Sequence, residues 1–167
     1  MKTLGLDLGG TKIAAAVVED GTILSKTRVD TPQGGFDSVI DALEHCARTL
    51  LAEHNDIEAV GVGSPGPLDI KKGVVLFAPN ITGMVDAPVV AELSTRLGKR
   101  VFIENDANAA GYAEHLFGAA RDLENSIYVT ISTGVGGGIF VGDRVIHGAF
   151  GAAGEVGHMT LDRKSVV

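Results

Sequence analysis

Short apolar runs, each closed by glycine or a polar turn, occupy the first thirty residues. Residues 3–8 and 13–18 have the pattern of buried strands, and Asp20-Gly21 is a two-residue hairpin signal before a third apolar stretch over 22–29. The pattern therefore predicts that an antiparallel three-stranded meander opens the chain.

Helical spacing replaces this pattern further on. Apolar side chains recur every three or four residues and predict a helix over about 36–53, with Cys46 on its buried face. A strand over 58–63 follows. Asp86 is then expected to cap a helix with Pro88 in its early turn and Gly98 at its end.

The last part of the chain is predicted to contain a second strand meander that resembles the opening one. A strand over 100–104 leads into a small-residue helix from Asp106 to about residue 117. Predicted strands at 126–132, 138–141 and 144–146 then form a second meander. The sequence thus predicts an α/β fold with a mixed sheet flanked by helices, a first domain over 1–118 and an incomplete second domain over 119–167.

Composition narrows the possible functions. Of the 167 residues, 45% are hydrophobic, the net charge is −7 and there is one cysteine. No basic stripe suggests a nucleic-acid partner, no internal disulfide can form, and no apolar run approaches 18 residues, so no membrane span is expected. The N-terminal residues do not resemble a signal peptide, so a cytoplasmic location is the default expectation.

Glycine is the unusual component, with 23 residues clustered beside apolar runs rather than spread along a linker. Residues 6–12 read LDLGGTK and residues 130–138 read TISTGVGGG. A strand followed by glycines and hydroxyls can present backbone N–H groups to phosphate, and Asp7 could organise a hydrated Mg²⁺. A plain hairpin turn explains the first motif equally well. Two such segments, far apart in the chain, indicate two domains that grip one polyphosphate.

Two further motifs carry polar groups. Residues 104–109 read ENDANA, where Asp106 is either a helix cap or a general base for phosphoryl transfer. Residues 154–158 read GEVGH, where Glu155 and His158 could both face a polyhydroxylated ligand. The other histidines, His45, His54, His115 and His147, are interpreted as surface or structural residues.

Other phosphate motifs do not fit. The Walker A pattern is absent. Residues 61–66 match G-x-G-x-x-G, but prolines flank the last glycine and no helical stripe follows, which disfavours a dinucleotide site.

Taken together, the four motifs, in this order, resemble the ROK family (repressor, open reading frame, kinase). The resemblance implies an actin-like, ribonuclease-H-like fold that binds ATP between two domains and a hexose in the cleft. It also implies Mg²⁺ as a cofactor, a homodimer, and transfer of phosphate to the sugar 6-hydroxyl. Residues 76–81 look most like bacterial glucokinases; mannose and N-acylhexosamine kinases are near relatives.

Residue roles follow from the same resemblance. Asp106 would be the catalytic base. The phosphate-binding and Mg²⁺-binding residues would be Asp7, Gly9, Gly10, Thr11, Lys12, Thr133, Gly134, Gly136 and Gly137. The sugar-binding residues would be Gly66, Asn80, Asn105, Asp106, Glu155 and His158.

The resemblance also predicts where this chain departs from the family. His158 would be the first ligand of a structural zinc, but the cysteines that complete it would follow Val167, so this chain cannot complete the site. The N-terminal DNA-binding module of family repressors is not seen, which disfavours a repressor. Two alternatives to the kinase stay open: a sugar-binding fragment without catalytic capacity, and an actin-like ATPase that does not act on sugars.

Overall fold

The computed structural model describes residues 2–132 and 134–159. Contacts divide the chain into two compact units, unit 1 (Met1–Asp106) and unit 2 (Ala107–Val167). The division falls within a helix that the sequence placed in the first domain. The domain boundary at 118/119 itself stays a prediction.

Unit 1 is built around a five-stranded mixed sheet with the order β3 (Thr22–Asp30), β2 (Lys12–Glu19), β1 (Lys2–Leu8), β4 (Ala59–Ser64) and β8 (Arg100–Asn105). The first three strands are antiparallel, whereas β1, β4 and β8 are parallel neighbours. This confirms the predicted opening meander. The elements in chain order are β1 (Lys2–Leu8), β2 (Lys12–Glu19), β3 (Thr22–Asp30), α1 (Phe36–Glu53), β4 (Ala59–Ser64), β5 (Leu68–Asp69), β6 (Val74–Phe77), β7 (Val85–Ala87), α2 (Val89–Leu97) and β8 (Arg100–Asn105).

The core of unit 1 lies between this sheet and its two helices. Helix α1 packs on β1, β2 and β3, α2 packs on β8, and the helices contact each other. Val39, Ile40 and Leu43 on α1 are fully buried. Cys46 is buried among them, as predicted, and burial raises the pKa of its thiol.

A small antiparallel sheet, β5-β6-β7, fills the connection between β4 and α2 and was not predicted. It also corrects the start of α2. Asp86 does not cap the helix: it lies in β7 with φ 48°, and Pro88 occupies the N-cap position. The reason is the pairing of Val75 with Ala87, which continues β7 up to the residue before the proline, so the helix begins only after Pro88. Gly98 ends the helix in the left-handed conformation, as predicted.

Unit 2 follows Asp106, the first residue of α3 (Asp106–Phe117). Its antiparallel sheet has the order β11-β10-β9 and matches the connectivity of the opening meander. The strands are β9 (Asn125–Ile131), β10 (Val135–Val141) and β11 (Arg144–Val145), and a short 3₁₀ helix covers Val156–His158. Gly136 and Gly137, which lie before the predicted strand at 138–141, are part of β10, where Gly137 pairs with Val129.

Among the helices in the described part of the chain, none combines the length and the hydrophobicity that crossing a membrane requires.

Candidate active site

Two of the three parallel strands of unit 1, β1 and β8, bring acidic side chains to the same end of the sheet. Asp7 on β1 is in register with Gly63 on β4, which is in register with Glu104 on β8. Residues in one row across a sheet share a face, so Asp7 and Glu104 flank a position without a side chain. The carboxyl ends of parallel strands are where open α/β sheets bind their ligands.

Asp106 is the first residue of α3 and directly follows β8. Asp7 is exposed to solvent on one side and partly buried on the other. This partial burial raises the pKa of its carboxyl, and the negative charge of Asp106 raises the pKa further. The two carboxyl groups are therefore close enough to interact. Hard oxygen ligands of this kind suit a hydrated Mg²⁺, so the residues present fit this cofactor.

Glu104 also orders the backbone beside Asp106. Its carboxylate Oε1 accepts a hydrogen bond from the backbone N–H of Asn105 at 2.9 Å. Glu104 and Asn105 are both half-buried. The ENDANA motif begins at the end of β8, which is where the sequence predicted a strand end.

The first glycine turn lies at the C-terminal end of β1. The N–H of Gly9 donates to the carbonyl of Lys12 at 2.9 Å, and Thr11 and Lys12 are exposed. A Cβ on Gly9 would lie 2.9 Å from that carbonyl oxygen, and one on Gly10 would lie 3.1 Å from the Cβ of Asn80. The glycines are thus needed for close approach.

The contact with Asn80 joins the predicted phosphate and sugar residues within unit 1. Asn80 is exposed on the turn between β6 and β7, and buried Ile81 and Met84 anchor that turn. Gly66 has φ +91°, and any side chain there would collide with the carbonyl of Phe77. Residues 66–67 therefore pack against the end of β6, which leads into the turn that carries Asn80.

Sequence reasoning missed Thr31, a buried residue directly after β3. Its hydroxyl donates to the carbonyl of Gly9 at 2.7 Å, and its side chain is only 6% exposed. The sequence did contain a signal for Thr31. It is a polar residue at the end of a strand, and the predicted meander brings that strand end next to the glycine turn.

Within unit 2, the second glycine segment packs against the GEVGH turn. A Cβ on Gly137 would lie 3.0 Å from the carbonyl oxygen of Gly154, and side chains at Gly154 and Gly157 would collide with the β10 backbone. Gly136 lies beside Ala107. The structure thus brings Gly136 and Gly137 near the 154–158 turn. Thr133 lies outside the described residues.

Glu155 and His158 form an exposed pair at that turn. His158 Nε2 lies 3.9 Å from Glu155 Oε2, and their side chains are 77% and 49% exposed, respectively. Within residues 2–132 and 134–159, no group of three or more histidine, cysteine or acidic side chains is placed to hold a metal ion. The zinc role of His158 therefore remains a prediction.

Solved structures share this arrangement of sheets and helices. A ROK hexokinase from Thermus thermophilus is 50% identical, with a TM-score of 0.89, over 96% of this chain and 54% of that chain. A ROK family glucokinase from Streptomyces griseus, solved in complex with glucose and AMPPNP, is 42% identical, with a TM-score of 0.88, over 97% of this chain and 51% of that one. These similarities confirm the actin-like ATPase fold class.

The ROK family model matches residues 3–167, and the chain belongs to this family. The glucokinase of Streptomyces coelicolor is 41% identical over 160 residues, which is 95% of this chain and 50% of that protein. This chain spans about half the length of the curated relatives it matches.

Proposed function

We propose that this chain carries the catalytic and sugar-binding part of an ATP-dependent hexose kinase that phosphorylates the 6-hydroxyl of glucose or a related hexose. The observation that carries the proposal is the row formed by Asp7, Gly63 and Glu104 at the carboxyl ends of parallel strands, with Asp106 directly after β8. The adjoining glycine turn, in contact with Asn80, adds a phosphate-binding element next to a sugar-binding one. The Streptomyces griseus relative was solved with glucose and AMPPNP bound, which supports the same classes of ligand here.

In the proposed reaction, Asp106 accepts the proton of the sugar hydroxyl while that oxygen forms its bond to phosphorus and the bond to the ADP oxygen breaks. Bound MgATP supplies the activated phosphoryl group. Asp7 would hold the hydrated Mg²⁺, and the N–H groups of Gly9 to Lys12 would bind phosphate oxygens. Asn80 and Asn105 would hold sugar hydroxyls, with Gly66 in the turn that lines the sugar site.

Unit 2 would supply a second set of ligand contacts. Gly134, Gly136 and Gly137, with Thr133, would bind phosphate. Glu155 and His158 would bind sugar hydroxyls.

Calorimetry with glucose and with MgAMPPNP tests the proposal on the 167-residue chain, and a coupled assay of ADP release follows turnover. We expect both ligands to bind, and we expect phosphorylation of glucose to exceed that of mannose and N-acetylmannosamine. Binding of glucose without nucleotide would instead support a sugar-binding fragment. ATP hydrolysis that is indifferent to every sugar would support a non-kinase ATPase.

The assembly and location belong to the same proposal. A homodimer is expected, and light scattering during size-exclusion chromatography measures it directly. A cytoplasmic location is expected because phosphorylation consumes ATP, and fractionation of cells that make the protein tests it.

A further inference from the structure

Thr31 holds the first glycine turn by two hydrogen bonds. Its Oγ1 donates to the carbonyl of Gly9 at 2.7 Å, and its backbone N–H donates to the carbonyl of Thr11 at 3.0 Å. The turn is closed from within by the Gly9 N–H, which donates to the carbonyl of Lys12 at 2.9 Å. A buried hydroxyl from a neighbouring strand end thus anchors one specific peptide of the turn.

That bond has a directional consequence for ligand binding. The carbonyl of Gly9 and the N–H of Gly10 belong to the same planar trans peptide, so they point in opposite directions. When the carbonyl is held toward the buried Thr31 hydroxyl, the N–H of Gly10 is turned to the opposite side of that peptide. Preorganised N–H groups stabilise anions better than groups that must reorient on binding.

The anchor extends to the turn that carries Asn80. Gln33 Nε2 donates to the carbonyl of Thr31 at 3.4 Å, and the Oε1 of Gln33 accepts from the hydroxyl of Thr82 at 3.1 Å. Gly10 itself packs against Asn80. Thr31 is thus linked to both turns to which the proposed function assigns ligands.

We propose that Thr31 is a positioning residue of the phosphate-binding turn: its hydroxyl orients the Gly9–Gly10 peptide so that the Gly10 N–H faces the nucleotide phosphates. The phosphate part of this inference rests on the proposed function. The orientation of the turn by Thr31 does not, because it follows from hydrogen bonds in the free chain.

The test compares Thr31→Val, which keeps the shape but removes the donor, with Thr31→Ser, which keeps the donor. The matched control is Thr95→Val, which removes a similar hydroxyl-to-carbonyl bond, made to Ala91 on α2. Amide hydrogen exchange on the ligand-free chain is the first measurement. We expect exchange at Gly9 and residue 31 to rise about three- to tenfold in Thr31→Val, with wild-type rates in Thr31→Ser and in the control.

Titration with MgAMPPNP is the second measurement. We expect its Kd to rise about tenfold in Thr31→Val and to return within about twofold of wild type in Thr31→Ser, with glucose affinity changing less. If Thr31→Val does not fold, Thr31→Ala takes its place in both measurements.

Two results would overturn the inference. The first is faster exchange spread evenly over unit 1, which indicates a general loss of stability and no specific effect on the turn. The second is a Thr31→Ser variant that behaves like Thr31→Val. If the wild-type chain binds no nucleotide, the proposed function and the phosphate role fail together, and the exchange experiment alone decides whether Thr31 orients the turn.

Discussion

The two units of this chain have similar apolar strands but bury them to different degrees. In unit 1, α1 and α2 cover one face of the sheet, and strand residues such as Leu6 and Val62 are almost fully buried. In the described part of unit 2, Ala107 and Phe140 are the buried apolar side chains. Ile127, Val129 and Ile131 alternate along one face of β9 and remain at least half exposed.

The difference shows that a strand pattern predicts a strand but does not predict what covers it. Unit 2 depends on a few tight contacts. The Phe140 ring stacks on Tyr112 and His115, with centroids 6.1 and 5.5 Å apart. His115 is buried as well, bonded to Ser126 at 2.9 Å and to the Gly142 carbonyl at 3.0 Å. The candidate catalytic carboxylates, by contrast, extend from the better-packed unit.

The substitution with the largest expected effect tests whether phosphoryl transfer depends on a residue of unit 1. Asp106→Asn keeps the shape of the side chain but removes the proton acceptor, so we expect turnover to fall about 10²- to 10⁴-fold with little change in glucose affinity. A coupled assay of ADP release and calorimetry measure the two quantities. Asp37→Asn, an exposed substitution in the first turn of α1, is the control. A near-normal kcat in Asp106→Asn would show that Asp106 is not the catalytic base.

Phe140→Ala tests the dependence of unit 2 on its aromatic cluster. Loss of this ring, which is 1% exposed, is expected to cost about 3–5 kcal/mol of the free energy of unfolding of unit 2. Phe150, 95% exposed, provides the control, and Phe150→Ala should stay within about 0.5 kcal/mol.

Tyrosine fluorescence during urea unfolding gives this measurement. The chain has two tyrosines and no tryptophan, and both Tyr112 and Tyr128 lie in unit 2, so the signal reports on that unit. Equal midpoints for the two phenylalanine variants would contradict the comparison between the units.

A smaller effect is expected from backbone packing within unit 2. In Gly137→Ala the new methyl would lie 2.8 Å from the carbonyl oxygen of Tyr128, and we expect a cost of about 1–3 kcal/mol. Gly134→Ala meets no atom within 4 Å and should be close to neutral by the same unfolding measurement. If the two variants were equally stable, close approach would not be the reason for glycine in β10.

The smallest effect concerns the titration of Asp7 in unit 1. Partial burial, and then the charge of Asp106, raise the pKa of its carboxyl above the ordinary value of 3.8. In Asp106→Asn we expect this pKa to fall but to stay above the ordinary value, because burial is the larger cause. Carbon NMR of the Asp7 carboxyl during a pH titration checks this.

The raised pKa of Asp7 also determines how its contribution to the free energy of unfolding changes with pH. Because the folded state holds the Asp7 proton more tightly, its stabilising contribution is present below pH 3.8 and is lost as the pH rises through the folded-state pKa. Asp7→Asn should therefore raise the unfolding temperature at neutral pH, with no difference from wild type at pH 3. A lower unfolding temperature at neutral pH would contradict the cause assigned to the shift.

Elements with a strong local period were predictable from the sequence. The predicted helix over 36–53 has the same bounds in the structure, because eighteen residues repeat one apolar spacing. Asp7 and Asp106 were also singled out from their motifs, and the roles assigned to them stay predictions. Asp7 lies one residue before the end of β1 and Asp106 directly follows β8, and the sequence marks both strand ends clearly.

Other features had no sufficient local signal. Strands β5 to β7 are two to four residues long, too short for a period to show. The glycines of β10 resembled a loop because glycine has low strand propensity. Only their pairing with β9 and their close approach to the 154–157 turn reveal a strand.

The sequence by itself determined the opening meander, the helix over 36–53, the two glycine segments and the acidic residues near strand ends, since these depend on spacing along the chain. The tertiary structure decided which apolar faces are covered, that Pro88 rather than Asp86 begins α2, and that the buried Thr31 hydroxyl holds the Gly9 carbonyl. Those features depend on contacts between residues distant in sequence, and no local pattern of side chains specifies which distant atoms will meet.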